Sequence, residues 1–268
     1  MSAVKPPAVS VIICSIDAIK FEGVCANYRQ LYAGQAPEII GIHDARSLAE
    51  GYTRGMARAT GELILLSHDD IEILTPDFAA RVALHLREYD LIGIAGTTRV
   101  VEGRWAGAGD PYVYTLISSP FPDAPGFGTM LLGGGPLVVP GIQALDGVFM
   151  AMRREVATRV AFDAEAFDHF HLYDLDFSLR AHLAGFRLAV CRDLVLIHAS
   201  TGSYDPVWEE YKRRFEAKHR THLPGHWVAK EGARASLPAA TREIILRNCA
   251  PAQLRNITDQ IERANAAL

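Results

Sequence analysis

A chain of 268 residues with 49% hydrophobic and 22% charged residues has enough apolar side chain for a sizeable core, which excludes a mainly disordered state. A net charge of -4 gives no general attraction to nucleic acid or an anionic membrane, and the short Lys212-Arg213-Arg214 cluster does not reverse this. Four scattered cysteines, Cys14, Cys25, Cys191 and Cys249, without a C-x-x-C pair, exclude a disulfide framework or a cysteine zinc site and point to reduced thiols. The opening MSAVKPPAV lacks the apolar core of a signal peptide. The longest apolar stretch, residues 130–145, is broken by GGGP and by Pro140-Gly141, so no transmembrane segment is expected. The expectation is a soluble, cytoplasmic protein, with attachment to the inner face of a membrane through a partner left open.

Residues 9–14, VSVIIC, are rich in β-branched side chains and read as the first central strand. Residues 21–33 place Phe21, Val24, Cys25, Tyr28, Leu31 and Tyr32 on a helical period that ends at Gly34. A strand at residues 38–42 runs into His43-Asp44, and residues 47–59 have helical spacing despite Gly51 and Gly55. The chain then enters GELILLSHDDIEIL, residues 61–74. Its LILL is too short for a helix and reads as a buried strand that stops at Ser67 and delivers His68, Asp69 and Asp70. Strand, helix, strand, helix, strand argues for a parallel sheet with right-handed crossovers. Ligands of such sheets sit beyond the carboxyl ends of the strands, where a pair of carboxylates suits a hard divalent cation. The competing reading makes Asp69 and Asp70 caps of a helix opened by Thr75-Pro76-Asp77.

Residues 76–89 form a further amphipathic helix, and 91–95 the next strand. Between residues 97 and 141 the chain is rich in glycine, proline and aromatics, among them Trp105, Tyr112, Tyr114, Phe121 and Phe127. So long an irregular stretch is either a binding loop or lid, or a β-meander with weak signals, since residues 112–117 alternate. ALDGVFMA, residues 144–151, reads as a turn and strand entering a helix at 153–160. YDLDFSLRAHLA, residues 173–184, is a helix closed by Gly185. Strands at 188–190 and 194–197 follow, the second delivering His198. Beyond residue 200 come loops and helices at 206–218, 239–247 and 251–267. Tyr204, Trp208, Tyr211 and Phe215 share one helical stripe, which serves either the core or an acceptor groove. Residues 251–268 offer a surface for homo-oligomer formation. The domain plan is one α/β unit at 1–200 with a helical extension, 201–268, packed on it.

Asp44, Asp69 and Asp70, Asp146, Asp174 and Asp176, and His198 all fall at strand ends or helix starts. In that order the chain resembles a family-2 glycosyltransferase of the GT-A fold, over about residues 9–200. The resemblance is carried by VSVIIC, by Asp44 after the second strand, and by GELILLSHDDIEI, similar to the family's G-E-x-x-x-x-x-D-x-D segment. It continues through LDGVFMAMRREV, through FHLYDLDFSLRAHLAGFRLAV, similar to the family's E-D-x-D pattern and following glycine, and through VLIHAS. The H-x-Y-D-x-D-F version resembles a bacterial subgroup acting on cell-surface or protein-linked glycans. The implied fold is α/β and Rossmann-like, a mostly parallel central sheet flanked by helices.

The resemblance also implies roles. Ser15 and Asp17 lie near the nucleotide, and Asp44 accepts a hydrogen bond from the base of a UDP- or dTDP-sugar. Arg58 approaches the diphosphate or stays a surface helix residue. His68 and Asp69 lie near ribose and sugar, while Asp70 and His198 bind Mn²⁺ or Mg²⁺. Asp146, Gly147 and Tyr173 face the donor sugar and acceptor. Asp174 is the general base of an inverting transfer to a hydroxyl of a glycan or glycoconjugate. Asp176, roughly 200° further round the helix, belongs to the structure. Two residues depart from the family pattern: His68 stands for the first acid of the metal tripeptide, and Tyr173 for the glutamate before the base. They are the hints of an alternative, a glycan- or nucleotide-binding module without catalysis. A sugar nucleotidyltransferase would want a glycine-rich basic loop after the first strand, which CSIDAIKFEG lacks.

Overall fold

The apolar, β-branched run VSVIIC forms strand β1 (Val9–Cys14), whose first five residues are buried. The computed structural model describes residues 6–200 and 204–267. Helix α1 (Ala18–Leu31) follows, capped by the Asp17 carboxylate, which accepts from the backbone N–H groups of Ile19 and Lys20. Strand β2 (Glu38–Ile42), helix α2 (Leu48–Arg58) and strand β3 (Leu63–Ser67) complete the expected alternation, with β1 parallel to β2 and β3. Asp69 and Asp70 do not cap a helix, because a short strand, β4 (Ile71–Ile73), comes before α3 (Phe78–Glu88).

Next come β5 (Leu91–Gly93) and β6 (Ala95–Thr97), then a 3-10 turn at Trp105–Ala108. The segment expected as a lid or a meander is the latter: β7 (Val113–Pro120) and β8 (Phe127–Leu132) pair antiparallel along their length. Short β9 (Val138–Pro140) and β10 (Ala144–Leu145) lead to β11 (Phe149–Arg153) and α4 (Arg154–Arg159). The chain continues through α5 (Tyr173–Leu183), β12 (Leu188–Cys191), β13 (Leu196–His198), α6 (Pro206–Lys218), β14 (Arg234–Ala239), α7 (Arg242–Asn248) and α8 (Pro251–Ala266).

The central sheet runs β2-β1-β3-β11-β5-β12-β9. It is parallel across β2-β1-β3 and between β5 and β12, but β11 lies antiparallel to both its neighbours. The sheet is therefore mixed rather than mostly parallel. The reason is topological: apart from β9, the strands of residues 95–145 build a second sheet, and the chain returns to pair Phe149 with Ser67 at the carboxyl end of β3. The second sheet runs β10-β6-β7-β13-β4, with β8 on the other edge of β7. The region expected to be helical after residue 200 also contains a strand. β14 pairs with β8 along six positions and satisfies an edge that would otherwise be open. The expected boundary at residue 200 borders 201–203, which lie outside the described residues.

Period-two alternation sends the side chains of the central strands into two cores. Ile12, Ile64, Leu66 and Met150 meet Tyr52 of α2 and Phe177 of α5, while Val11, Ile13 and Leu65 meet Tyr28 of α1 and Phe78 of α3. Helices α7 and α8 pack Ile245, Leu254 and Ile261 on Leu116, Leu131 and Ile197 of the second sheet. No helix among the described residues is long and apolar enough to cross a membrane. Asp176 has the structural role expected of it. Fully buried on α5, it is bonded by Arg180, Lys218 and His219 and so ties α5 to the end of α6.

Arg192, after β12, is also fully buried, and its guanidinium donates to the carbonyls of Leu132, Gly133, Gly134, Gly135 and Pro136. Burial draws its pKa down to about 10, so it stays charged at neutral pH and the glycine-rich turn wraps it. Replacing it strands several buried acceptors at once. Arg192→Leu is expected to lower stability by about 3 kcal/mol in urea denaturation, and an unchanged midpoint would show that the turn does not depend on it.

Candidate active site

Every residue of β3 is buried, so the next three emerge together at the edge of the sheet. β4 then pairs with β13 in a register that sets Ile71 opposite His198. This brings His198 Nε2 to 3.2 Å from Asp70 Oδ1 and 3.4 Å from His68 Nδ1, with His68 Nδ1 3.9 Å from Asp70 Oδ1. One ligand atom from each of the three lies within 4.8 Å of the others. Burial pushes the Asp70 carboxyl up, but the hydrogen bond and charge of His198 outweigh it and hold the group well below the usual carboxylate range. Burial, and then the neighbouring His198, keep the His68 imidazole below its ordinary value, which favours the neutral ring that a metal ligand needs. The residues fit a divalent cation. Two imidazoles and one carboxylate depart from the all-oxygen octahedron that Mg²⁺ prefers. His68, expected beside ribose and sugar, thus joins the potential ligands.

Asp69 turns the other way and accepts from Ser15 Oγ at 2.6 Å. The two face a cavity of about 250 Å³, lined also by Ile16, Leu48, Asp70 and Phe170. Three other expected donor residues do not line it. Asp17 is committed to capping α1. Asp44 is exposed, and both its oxygens are held in a fork by Arg54, at 2.8 and 3.2 Å, because α2 carries that guanidinium back over the end of β2. Arg58 reaches the carbonyl of Gly41 at 3.4 Å.

On the opposite side of His68 the turn after β10 meets the start of α5. Gly147 N–H donates to Asp174 Oδ2 at 2.7 Å. A Cβ at Gly147 would collide with the Tyr173 hydroxyl and stand 2.8 Å from Asp174 Cβ, so only glycine allows this approach. Leu172 precedes the helix with φ 59°, a left-handed conformation that non-glycine residues rarely hold except where the surroundings impose it. The turn presents Tyr173 and Asp174 to the site, and Tyr173 Oη lies 3.2 Å from His68 Nε2. Burial, and after it the Asp146 carboxylate, raise Asp174 to about 7, while backbone N–H groups of Leu175 and Gly147 pull the other way.

Asp146, Gly147, Tyr173 and Asp174 line a second cavity of about 410 Å³, together with His68 and His198. The two cavities share His68, Phe170 and Ser200, so they form one groove with the potential metal ligands at its middle. The larger cavity also holds Trp105, Tyr204 and Trp208; the sequence left Tyr204 and Trp208 open between core and acceptor groove, and Trp105 within a stretch read as a binding loop or a meander. Their signals were present: Trp105 sits in the aromatic, glycine-rich stretch, and Tyr204 and Trp208 begin the stripe of α6. Tyr211 and Phe215, the rest of that stripe, are buried in the core. Phe170 and the left-handed Leu172 carried no such signal.

The carboxyl of Asp174, followed by ¹³C NMR, is expected to titrate with a midpoint near 7. Asp146→Asn removes the second of the two raising influences and moves that midpoint down. A wild-type midpoint near the ordinary value of about 3.9 would contradict the electrostatics described here.

The family described as glycosyltransferase-like matches residues 10–222. No curated protein matches the chain significantly. Among solved structures, the mannosyltransferase PcManGT from Pyrobaculum calidifontis, in complex with GDP-Man and Mn²⁺, aligns with a TM-score of 0.50 at 14% identity. That alignment covers 98% of this chain and 75% of the other. TarS 1-349 from S. aureus aligns with a TM-score of 0.44 at 12% identity, over 80% and 72%. At 14% identity the first likeness is one of fold, and it agrees with an α/β sheet of the GT-A type. The family match spans the central sheet, both cavities and α6, and by that match the chain belongs to the glycosyltransferase-like family.

Proposed function

We propose that this protein transfers a sugar, with inversion, from a nucleoside-diphosphate donor to a hydroxyl of a glycan or glycoconjugate. The observation that carries the reading is a carboxyl raised to about 7, Asp174, facing the same groove as the His68–Asp70–His198 cluster. Membership of a glycosyltransferase-like family supports it, as does a fold-level relative solved with GDP-Man and Mn²⁺.

In this reading the donor nucleotide occupies the smaller cavity, with Ser15 and Asp69 beside it and its diphosphate toward Asp70. Asp70, His198 and His68 would hold the cation. Such an ion supplies Lewis-acid neutralisation of the charge that develops on the leaving diphosphate. Asp174, ionised above about pH 7, takes the proton of the acceptor hydroxyl. That oxygen bonds to the anomeric carbon as the bond to the diphosphate oxygen breaks, and the nucleoside diphosphate leaves with the electron pair. Gly147 N–H fixes the direction of the base, and burial together with Asp146 raises its affinity for the proton. The alternative of a module without catalysis rested on His68 and Tyr173. Their mutual hydrogen bond gives both a place in the site and favours the enzyme.

Calorimetric titration with UDP, dTDP and GDP, each with and without Mn²⁺, tests the reading. Saturable binding of one nucleotide that strengthens with Mn²⁺ is expected, and no binding by any of the three would refute it. Asp174→Asn is expected to keep nucleotide binding while transfer falls roughly 10³-fold, the usual range for loss of a general base.

A further inference from the structure

We infer that the acceptor of this site is an uncharged saccharide, seated on an aromatic platform built by Trp105, Tyr204 and Trp208; the inference rests on the transferase reading above. Two of the chain's three tryptophans line the cavity that holds Asp174. Asp205 caps α6 by accepting from Trp208 N–H, and the Tyr204 ring stands edge-on to Trp208 with centroids 4.9 Å apart. Tyr204 and Phe170 remain 66% and 47% exposed, so the mouth of the cavity presents aromatic surface to whatever enters.

This platform is braced. Lys212 of α6 bridges Glu102 at 3.0 Å and Glu216 at 3.2 Å, and Glu216 accepts from Gly103 N–H. The turn carrying Trp105 and the helix carrying Trp208 are thereby strapped together, which fixes the two indoles on rigid supports.

Charge and hydrogen bonding select the occupant. Asp146 and Asp174 repel an anionic acceptor at neutral pH, and Arg104, the one arginine or lysine among the described lining residues, is bonded to Glu102. A phosphate-bearing acceptor would have to compete with Glu102 for the single guanidinium among the described lining residues. Thr115 Oγ1 gives an independent pointer. Thr115 lines the cavity, is fully buried, and its hydroxyl has no hydrogen-bond partner among the described residues. Such a group calls for a partner from the ligand. A sugar ring supplies what the cavity lacks: C–H faces for the indoles and hydroxyls for Thr115 and Ser119.

Tryptophan fluorescence of the full-length protein tests this. Methyl glycosides of glucose, galactose, mannose and N-acetylglucosamine, and disaccharides of the same sugars, are titrated beside geranyl phosphate. At least one saccharide is expected to give a saturable change, and geranyl phosphate none. Trp208→Ala should weaken that saccharide about tenfold, with Trp105 still reporting. Thr115→Val, which keeps the shape, should weaken it about fivefold. The inference is overturned if no saccharide of the panel binds, if geranyl phosphate binds as well, or if both variants bind with wild-type affinity. Saccharide binding without nucleotide binding would keep the platform and sink the transferase reading, and nucleotide binding without saccharide binding would do the reverse.

Discussion

The contact on which the site depends is the approach of Gly147 to Asp174. A backbone N–H, a helix start and the influence of a second carboxylate, Asp146, converge there. Setting the desolvated Asp174 carboxylate near that of Asp146 is unfavourable, and the amide hydrogen bond and the positive end of α5 offset only part of the cost. What is left appears as a carboxyl that releases its proton near neutrality. The sheet topology makes the contact obligatory. Because β11 enters antiparallel from the carboxyl end of β3, the turn at residues 146–148 must lie beside His68, whose N–H donates to the carbonyl of Val148.

His68 is the hinge between the two halves of the groove. One ring nitrogen faces Asp70 and His198, and the other faces the Tyr173 hydroxyl. The two departures from the family pattern are thus in contact, and each accounts for the other. A histidine in place of an acid removes a negative charge near the donor. A tyrosine in place of glutamate supplies a neutral partner for that histidine where an acid would have left one more charge buried beside Asp146 and Asp174. The result is a less anionic site that offers a cation two imidazoles and one carboxylate.

Much of this was legible in the sequence, for reasons of period and punctuation. VSVIIC, EIIGI and LILL are short apolar runs between turn signals, and they become β1, β2 and β3 close to where they were expected. Asp70, Asp146, Asp174 and His198 follow such elements at once, so the strands and the start of α5 deliver them to one edge. The orientation of β11 was hidden because a period of two is the same for parallel and antiparallel strands. Asp44 looked equivalent to the others, but Arg54, ten residues on, claims its carboxylate through a contact no local pattern encodes. Leu172 carries no glycine to mark its left-handed turn, and the pairing of Asp176 with His219 spans 43 residues. Local chemistry can be read in one dimension, whereas partner choice across the fold cannot.

The central claim is that one carboxyl, held near neutrality by burial and Asp146, is the base of the reaction. The pH dependence of kcat/KM for sugar transfer tests it most directly, because it reports the ionisation of the free enzyme. The account predicts a rate that rises with pH through a single ionisation near 7, with the limb displaced to lower pH in Asp146→Asn. A profile flat between pH 5 and 9, roughly two units either side of the limb, or a limb that Asp146→Asn leaves in place, would contradict it.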